Sequence, residues 1–331
     1  NKNKCINCGL CKKVCPILNK MKNQEINQKG YVFQYKDKKI RKESTSGGFF
    51  TAIAEYVLTK KGIVYGVSLD KKFEAKHERI TKKEELWKFR NSKYVQSNPN
   101  ITYKQVKEDL NNNQMVLYSG TACQIEGLKK YLQRDYDNLI TVDVICRSVP
   151  SPSLWRKYIE EKNKNRDINK VYFREKKYGY KYSNLCMHGK DKIIYNNGID
   201  TDPYLRAFFS NICSRPSCYN CKFKEQFHKA DFTIWDCFDV DKYDKDFDDD
   251  IRVAIEYQIP RTSKRVDFII AGADNNNKNN ANPSFINVED QPSAFFSFMP
   301  TFITWSNCLS KNSNTQYDLL CKEFSLCLLS V

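Results

Sequence analysis

Met115-Val116-Leu117-Tyr118, then Ser119-Gly120-Thr121, then Ala122-Cys123-Gln124 is the stretch that decides the fold class. Four apolar residues predict a short strand, the Ser-Gly-Thr triplet a turn, and the apolar spacing from Cys123 to Leu132 an amphipathic helix. Downstream, residues 139–145 predict another strand ending at Cys146, and Ser151-Pro152-Ser153 caps a helix carrying Leu154, Trp155, Tyr158 and Ile159. Upstream, Ser-Thr-Ser-Gly-Gly at 44–48 precedes Phe49, Phe50, Ile53, Ala54, Val57 and Leu58, a helical stripe stopped by Gly62. Residues 63–69 then predict a buried strand. Strands alternating with helices at this spacing imply an α/β domain with a parallel or mixed sheet.

Further along, the pattern turns towards β and the class broadens to α+β. Residues 170–174, 180–187 and 192–195 predict strands, with His188-Gly189 as a hairpin turn. Residues 203–212 predict a helix and 231–235 a strand, before an acidic, turn-like stretch at 239–250. Residues 1–20 form a cysteine run, 21–43 a lysine-rich linker with one short strand at 31–35, and 44–250 the α/β domain. Residues 251–331 make an atypical tail with a low-complexity Asn tract at 275–280.

The 55 basic residues outnumber 39 acidic ones, giving +16. That charge suits an acidic partner or a phosphate-bearing cofactor, or it is a Lys/Asn-biased solvated surface; no helix-length cationic stripe decides between them. Basic residues are not interleaved with stacking aromatics, so nucleic acid is not expected as a partner. No run of eighteen apolar residues predicts a membrane span, and no signal peptide or twin-Arg leader is expected. Of the 14 cysteines, four fall in the first fifteen residues and Cys213, Cys218, Cys221 and Cys237 form a second group, which reads as metal ligation in a reducing compartment. A soluble, cytoplasmic protein is expected. Since the chain opens on Asn1 rather than Met, a preceding segment is expected too.

Cys5-x2-Cys8-x2-Cys11-x3-Cys15-Pro16 has the spacing of a bacterial ferredoxin run. Two-residue gaps let a tight loop wrap three thiolates around a 4Fe–4S cluster, and Gly9 lets the backbone approach it. A zinc knuckle would favour two well-separated ligand pairs without a trailing proline. In two-cluster ferredoxins the fourth cysteine serves the other cluster. Three arrangements stay open: a preceding half-ferredoxin, one cluster closed by all four thiols, or later cysteines completing a pair of sites.

The turn at Gly120-Thr121 and the turn at Ser46-Gly47-Gly48 each precede a helix, so each could aim backbone N–H groups at a phosphate. A strand–glycine–helix connection is also an ordinary turn. Taken with Ser119-Gly120-Thr121-Ala122-Cys123-Gln124-Ile125, Val142-Asp143-Val144-Ile145-Cys146, Val149-Pro150-Ser151-Pro152, Arg215-x2-Cys218-Tyr219-x-Cys221-Lys222-Phe223 and Ala230-Asp231-Phe232-Thr233-Ile234, these segments resemble the β subunit family of coenzyme F-420 hydrogenases and dehydrogenases. The resemblance covers residues 1 to about 240.

It implies an iron–sulfur flavoprotein: a ferredoxin-like 4Fe–4S segment followed by a mixed α/β flavin-binding domain. It implies FAD and one or two 4Fe–4S clusters, passing electrons between a ferredoxin or a hydrogenase/dehydrogenase-type donor subunit and a small-molecule hydride acceptor, a deazaflavin or similar compound. The flavin would map to Ser46, Gly47, Gly48, Gly120 and Thr121, and a cluster to Cys123, Cys146, Cys218 and Cys221. Catalytic side chains are not assigned. Bacterial relatives are often associated with polysaccharide biosynthesis.

The chain departs from the family pattern in places. Ala122 stands where the family has proline, Arg147-Ser148 where it has His-Gly, and Trp235-Asp236-Cys237-Phe238-Asp239 where it has Gly-Asp-Phe-Trp-Gly. The lost glycines matter if the backbone there needs φ > 0. They favour a rival reading, an electron-carrier or assembly subunit without a working flavin site. A zinc-bearing nucleic-acid module is a third class, opposed by the Cys-Pro run. Cys213 and Cys237 flank the Cys218/Cys221 pair as further candidates. Cys186, Cys308, Cys321 and Cys327 read as ordinary thiols without close partners, and His77, His188 and His228 as surface or turn residues. Residues 256–270 resemble the start of a restriction-nuclease-like module, but no acid-x-Lys follows Asp267, so no metal site is expected there.

Overall fold

The computed structural model describes residues 5–21, 29–164, 166–177, 179, 182–224 and 228–236, together with two strands at 253–257 and 327–330. In chain order the elements are α1 (Leu10–Lys13), β1 (Lys29–Gln34), α2 (Lys38–Glu43), α3 (Phe49–Thr59), β2 (Ile63–Leu69), β3 (Ala75–Ile80), a 3-10 helix at Lys83–Lys88, α4 (Thr102–Asn111), β4 (Val116–Thr121), α5 (Ala122–Leu132) and β5 (Leu139–Val144). Then come α6 (Pro152–Asn163), β6 (Lys170–Glu175), β7 (Asn184–His188), β8 (Ile193–Gly198), α7 (Pro203–Phe209), α8 (Pro216–Tyr219), β9 (Phe232–Asp236), β10 (Val253–Tyr257) and β11 (Cys327–Ser330).

Eight strands form one mixed sheet in the order β11-β1-β10-β9-β5-β4-β2-β3. β2, β4, β5 and β9 run parallel, while β3 and β10 pair antiparallel at either side of them. The parallel strands are apolar on both faces because helices cover both. Val64, Leu117, Val142 and Phe232 pack with Phe49, Ala54 and Val57 of α3. On the other face Ile63, Tyr65, Val116 and Tyr118 pack with Val106 and Leu110 of α4 and Ile125 and Leu128 of α5. A side chain such as Leu117, fully buried between two layers, contributes about 1.5–3 kcal/mol by leaving water.

A second, three-stranded antiparallel sheet (β6-β7-β8) packs Phe173, Leu185 and Met187 against Trp155 and Ile159 of α6 and Tyr204 and Leu205 of α7. Ser151 caps α6, accepting from the Leu154 N–H at 3.2 Å. Asp202 does the same for α7 at 2.7 Å.

Three sequence expectations change. The Ser119-Gly120-Thr121 triplet is strand rather than turn, because β5 extends far enough to pair Gly120 with Asp143 and Thr121 with Val144. The short strand expected at 31–35 is present as β1, but the stretch around it is no linker: β1 pairs with β10, Phe33 is buried against Phe49 with ring centroids 5.3 Å apart, and residues 38–43 add α2. Residues 253–257, expected in the tail, form β10 between β9 and β1. The Asn tract and nearly all of the nuclease-like segment lie outside the described residues.

Candidate iron–sulfur and flavin site

β1 runs the same way as β9, since β10 is antiparallel to both. The carboxyl ends of β1, β2, β4, β5 and β9 therefore share one edge, where ligands of parallel α/β sheets bind. Cys123 opens α5 just past the end of β4, and Cys146 lies two residues past β5. Cys218 and Cys221 are brought in by the chain that follows Cys146. Pro150 bridges Ser214, the Arg215 N–H donates to Val149 O at 3.1 Å, and the Ser214 hydroxyl donates to Ser148 Oγ at 2.7 Å.

Cys123 and Cys146 both lie within reach of charge on Cys218 and Cys221. Burial pushes the Cys146 thiol up to about 12, and charge on Cys123, Cys218 or Cys221 pushes the same way. Cys123 is raised chiefly by the atoms crowded round it, although it keeps an exposed surface, and also by Cys221 and Cys218; Thr121, with Oγ1 3.1 Å from its sulfur, opposes the rise. Thiols drawn from three separate chain segments, with Cys123 and Cys146 held up chiefly by burial, suit a cationic group that stabilises thiolates. Among the described residues no three of them come within 4.8 Å, the reach of a single ion. Cys213 is half-buried with its thiol raised by burial. Cys237 lies outside the described residues.

On the amino-terminal arm Cys5, Cys8 and Cys11 are exposed and Cys15 half-buried around the single turn of α1, with Asn7 (φ 54°) and Gly9 (φ 73°) left-handed. The arm is tied to the central group. The Met21 N–H donates to Glu126 Oε2 at 3.4 Å, and Glu126 lies one helical turn past Cys123 on α5.

The two glycine positions differ. Thr121 and Gln124 form a capping box at the start of α5, with the Thr121 N–H donating to Gln124 Oε1 at 3.0 Å. A side chain on Gly120 would meet that same oxygen at 3.1 Å. The start of α3 has no side-chain cap; Gly48 stands there at φ 86°, with Gly47 O accepting from the Tyr35 N–H at 2.8 Å. Half-buried Ser46 precedes this pair, and the adjoining Thr45 hydroxyl accepts from the Ser92 N–H at 2.6 Å. That contact brings in Lys93, which the sequence reading missed. Its ammonium donates to Lys88 O and Arg90 O at 3.0 and 2.8 Å, and enclosure pulls it down to about 7. The Arg90-Asn91-Ser92-Lys93-Tyr94 loop has no periodic signal that would have singled it out.

Of the departures from the family pattern, Ser148 is accommodated, while residues 237–239 lie outside the described residues. Ser148, standing for glycine, is not left-handed and uses its hydroxyl on Ser214. Asp236 ends β9 with Oδ2 3.7 Å from Arg174 Nη1. Neither His77 nor His228 is a surface residue; both are buried.

Residues 31–103 match the profile described as the N-term of the Coenzyme F420 hydrogenase/dehydrogenase beta subunit, and residues 113–259 match the one described as its C terminus. Together these span more than half of the chain. The chain belongs to the coenzyme F420 hydrogenase/dehydrogenase beta subunit family. The F420 family match includes every central motif from Ser46 to Ile234 and runs on through β10, past residue 240 where the sequence resemblance stops. The cysteine run at 5–15 stands outside the matched residues. No curated protein matches. Among solved structures, the F420-reducing [NiFe] hydrogenase complex from Methanosarcina barkeri, studied by xenon derivatization, aligns at 17% identity and a TM-score of 0.47, covering 72% of this chain and 78% of that one. Among the described residues no helix is long and apolar enough to cross a membrane.

Proposed function

We propose that this chain is an iron–sulfur flavoprotein oxidoreductase subunit. Cys123, Cys146, Cys218 and Cys221 hold a 4Fe–4S cluster, and Cys5, Cys8, Cys11 and Cys15 hold another on the amino-terminal arm. FAD lies along the carboxyl edge with its phosphates at the uncapped start of α3, at Ser46, Gly47 and Gly48, while Gly120 and Thr121 form the floor beside Cys123. The observation that carries this reading is the gathering of the four thiols at the sheet's carboxyl edge. When bound, the flavin would exchange hydride and the clusters single electrons. The chain's own part is to place both, through the Ser148–Ser214 clasp and the Met21–Glu126 contact. The electron donor is a ferredoxin or a hydrogenase/dehydrogenase-type subunit, and the hydride acceptor coenzyme F420 or a similar small molecule.

The capping box on α5 favours a second reading, an electron carrier without flavin, since it occupies one of the two helix starts that flavin phosphates would use. Anaerobic purification separates the readings. Iron, acid-labile sulfide and released FAD together support the flavoprotein. Iron and sulfide with no flavin after reconstitution leave the carrier. Colourless protein without sulfide ends both. Reduction of F420, nicotinamide nucleotides and viologen dyes, compared side by side, then identifies the acceptor class.

A further inference from the structure

Away from the carboxyl edge, β7 carries a cysteine whose surroundings are not those of an ordinary buried thiol. Leu185 and Met187 face the apolar core, so Cys186 and His188 share the opposite face of the strand. Cys186 is fully buried and its Sγ lies 3.2 Å from His188 Nε2. His188 Nε2 in turn lies 3.1 Å from Glu175 Oε1. The acid comes from β6, and a bulge puts it there. Tyr172 pairs with Cys186, but the next pair is Glu175 with Asn184, one residue out of register. Without the extra residue Glu175 would point to the other face; bulges commonly re-aim a side chain in this way.

The contacts do not form a proton relay. A Cys–His–acid relay uses the two ring nitrogens separately, one towards the thiol and one towards the acid. Here thiol and carboxylate both approach Nε2, and the three donor atoms lie within 4.8 Å of one another. Sulfur, imidazole nitrogen and carboxylate oxygen converging on one point make a donor set that zinc accepts. The Tyr172 ring stands nearly perpendicular to the imidazole of His188, with centroids 5.4 Å apart. Glu175 and His188 are half-buried, which leaves one side open.

We propose that Glu175, Cys186 and His188 bind one zinc ion, with a water molecule in the fourth position. On binding, the Cys186 S–H gives its proton to solvent and its sulfur bonds the metal; the carboxylate and the Nε2 lone pair complete the protein's share. No electron changes hands. The dication with one thiolate and one carboxylate has no net charge, so the site can be half-enclosed at little electrostatic cost.

The test uses the full-length chain, purified anaerobically with its clusters in place, and zinc chloride followed by removal of loose metal. The expected result is one zinc per chain in addition to iron, reduced by one equivalent in Cys186→Ser and in His188→Gln while iron is unchanged. Cobalt(II) in the same site should give a thiolate charge-transfer band that Cys186→Ser lacks. Glu175→Gln, at a half-buried position, provides a variant that spares the core and should weaken zinc retention. Zinc lodged in the other cysteine groups would be equal in the wild-type chain and all three variants; that equality, or no bound zinc at all, overturns the proposal.

Discussion

His228 Nδ1 lies 2.8 Å from Asp143 Oδ2, and both residues are buried. The other carboxylate oxygen accepts from the Thr233 hydroxyl at 2.7 Å. Asp143 is three residues before Cys146 on β5, and His228 follows the Cys218/Cys221 arm, so the pair fastens two of the three segments that supply thiols. His228→Ala should leave the carboxylate short of a partner and cost about 1–3 kcal/mol. Iron bound by the central cysteines should fall while iron on the amino-terminal arm stays, as read by iron and sulfide assay alongside thermal unfolding. Unchanged central iron would reduce the pair to a purely structural contact.

The cysteine assignment makes a sharper division. Cys146→Ser should drop the chain from about eight irons to about four, because a serine hydroxyl is a far poorer soft-metal ligand than a thiolate. Cys213→Ser should leave iron unchanged, since Cys123, Cys146, Cys218 and Cys221 already supply one thiolate for each iron of a 4Fe–4S cluster. Equal loss in both variants would dissolve the distinction between them.

Much of this arrangement is legible in the sequence, and the exceptions share a cause. Period and punctuation reveal β2, α3, β5 and α6 because each shows its burial in its own residues. β1 shows as a short strand in a lysine-rich stretch, but its place in the main sheet depends on β10, more than 200 residues away in the chain, and only Phe33 and Tyr35 announce an inner face. His77 and His228 find their partners 42 and 85 residues away, so nothing local marks them as buried. Glu175 reaches Cys186 only through a bulge, which leaves no residue signature. The central cysteines emerge from ordered motifs rather than spacing, since a cluster drawn from three segments has no single run to count.

The glycines separate backbone strain from cofactor contact. Gly48 is left-handed at φ 86°, and a Cβ there would sit 3.2 Å from Tyr35 Cβ, so Gly48→Ala should cost about 1–2 kcal/mol and lower FAD retention. At Gly120 the backbone is not left-handed, and a Cβ there would meet Gln124 Oε1 at 3.1 Å and Gln124 Cβ at 3.2 Å, a contact a small shift of one side chain relieves. Gly120→Ala should lower stability by less than about 1 kcal/mol, mainly through a loosened cap. Flavin release and melting temperature measured on both variants check the contrast; the reverse order would move the phosphate site to α5.

His77 should impose an acid limit on stability. Its Nε2–H donates to Ser119 O at 3.0 Å, its ring stacks on Tyr118 with planes 9° apart, and its buried Nδ1 has no hydrogen-bond partner. Burial holds the imidazole down to about 4 against an ordinary 6.5. Between those values the unfolded chain carries a proton on this residue and the folded chain does not, so stability rises with pH across the window. The contribution is complete above the ordinary value and is lost as pH falls towards the folded one, at most about 3 kcal/mol. His77→Gln removes the titrating group. Its melting temperature should therefore fall less than that of the wild-type chain between about pH 7.5 and about pH 5. Parallel losses in the two proteins would mean that His77 titrates normally and that its enclosure beside Ser119 has no effect on its proton.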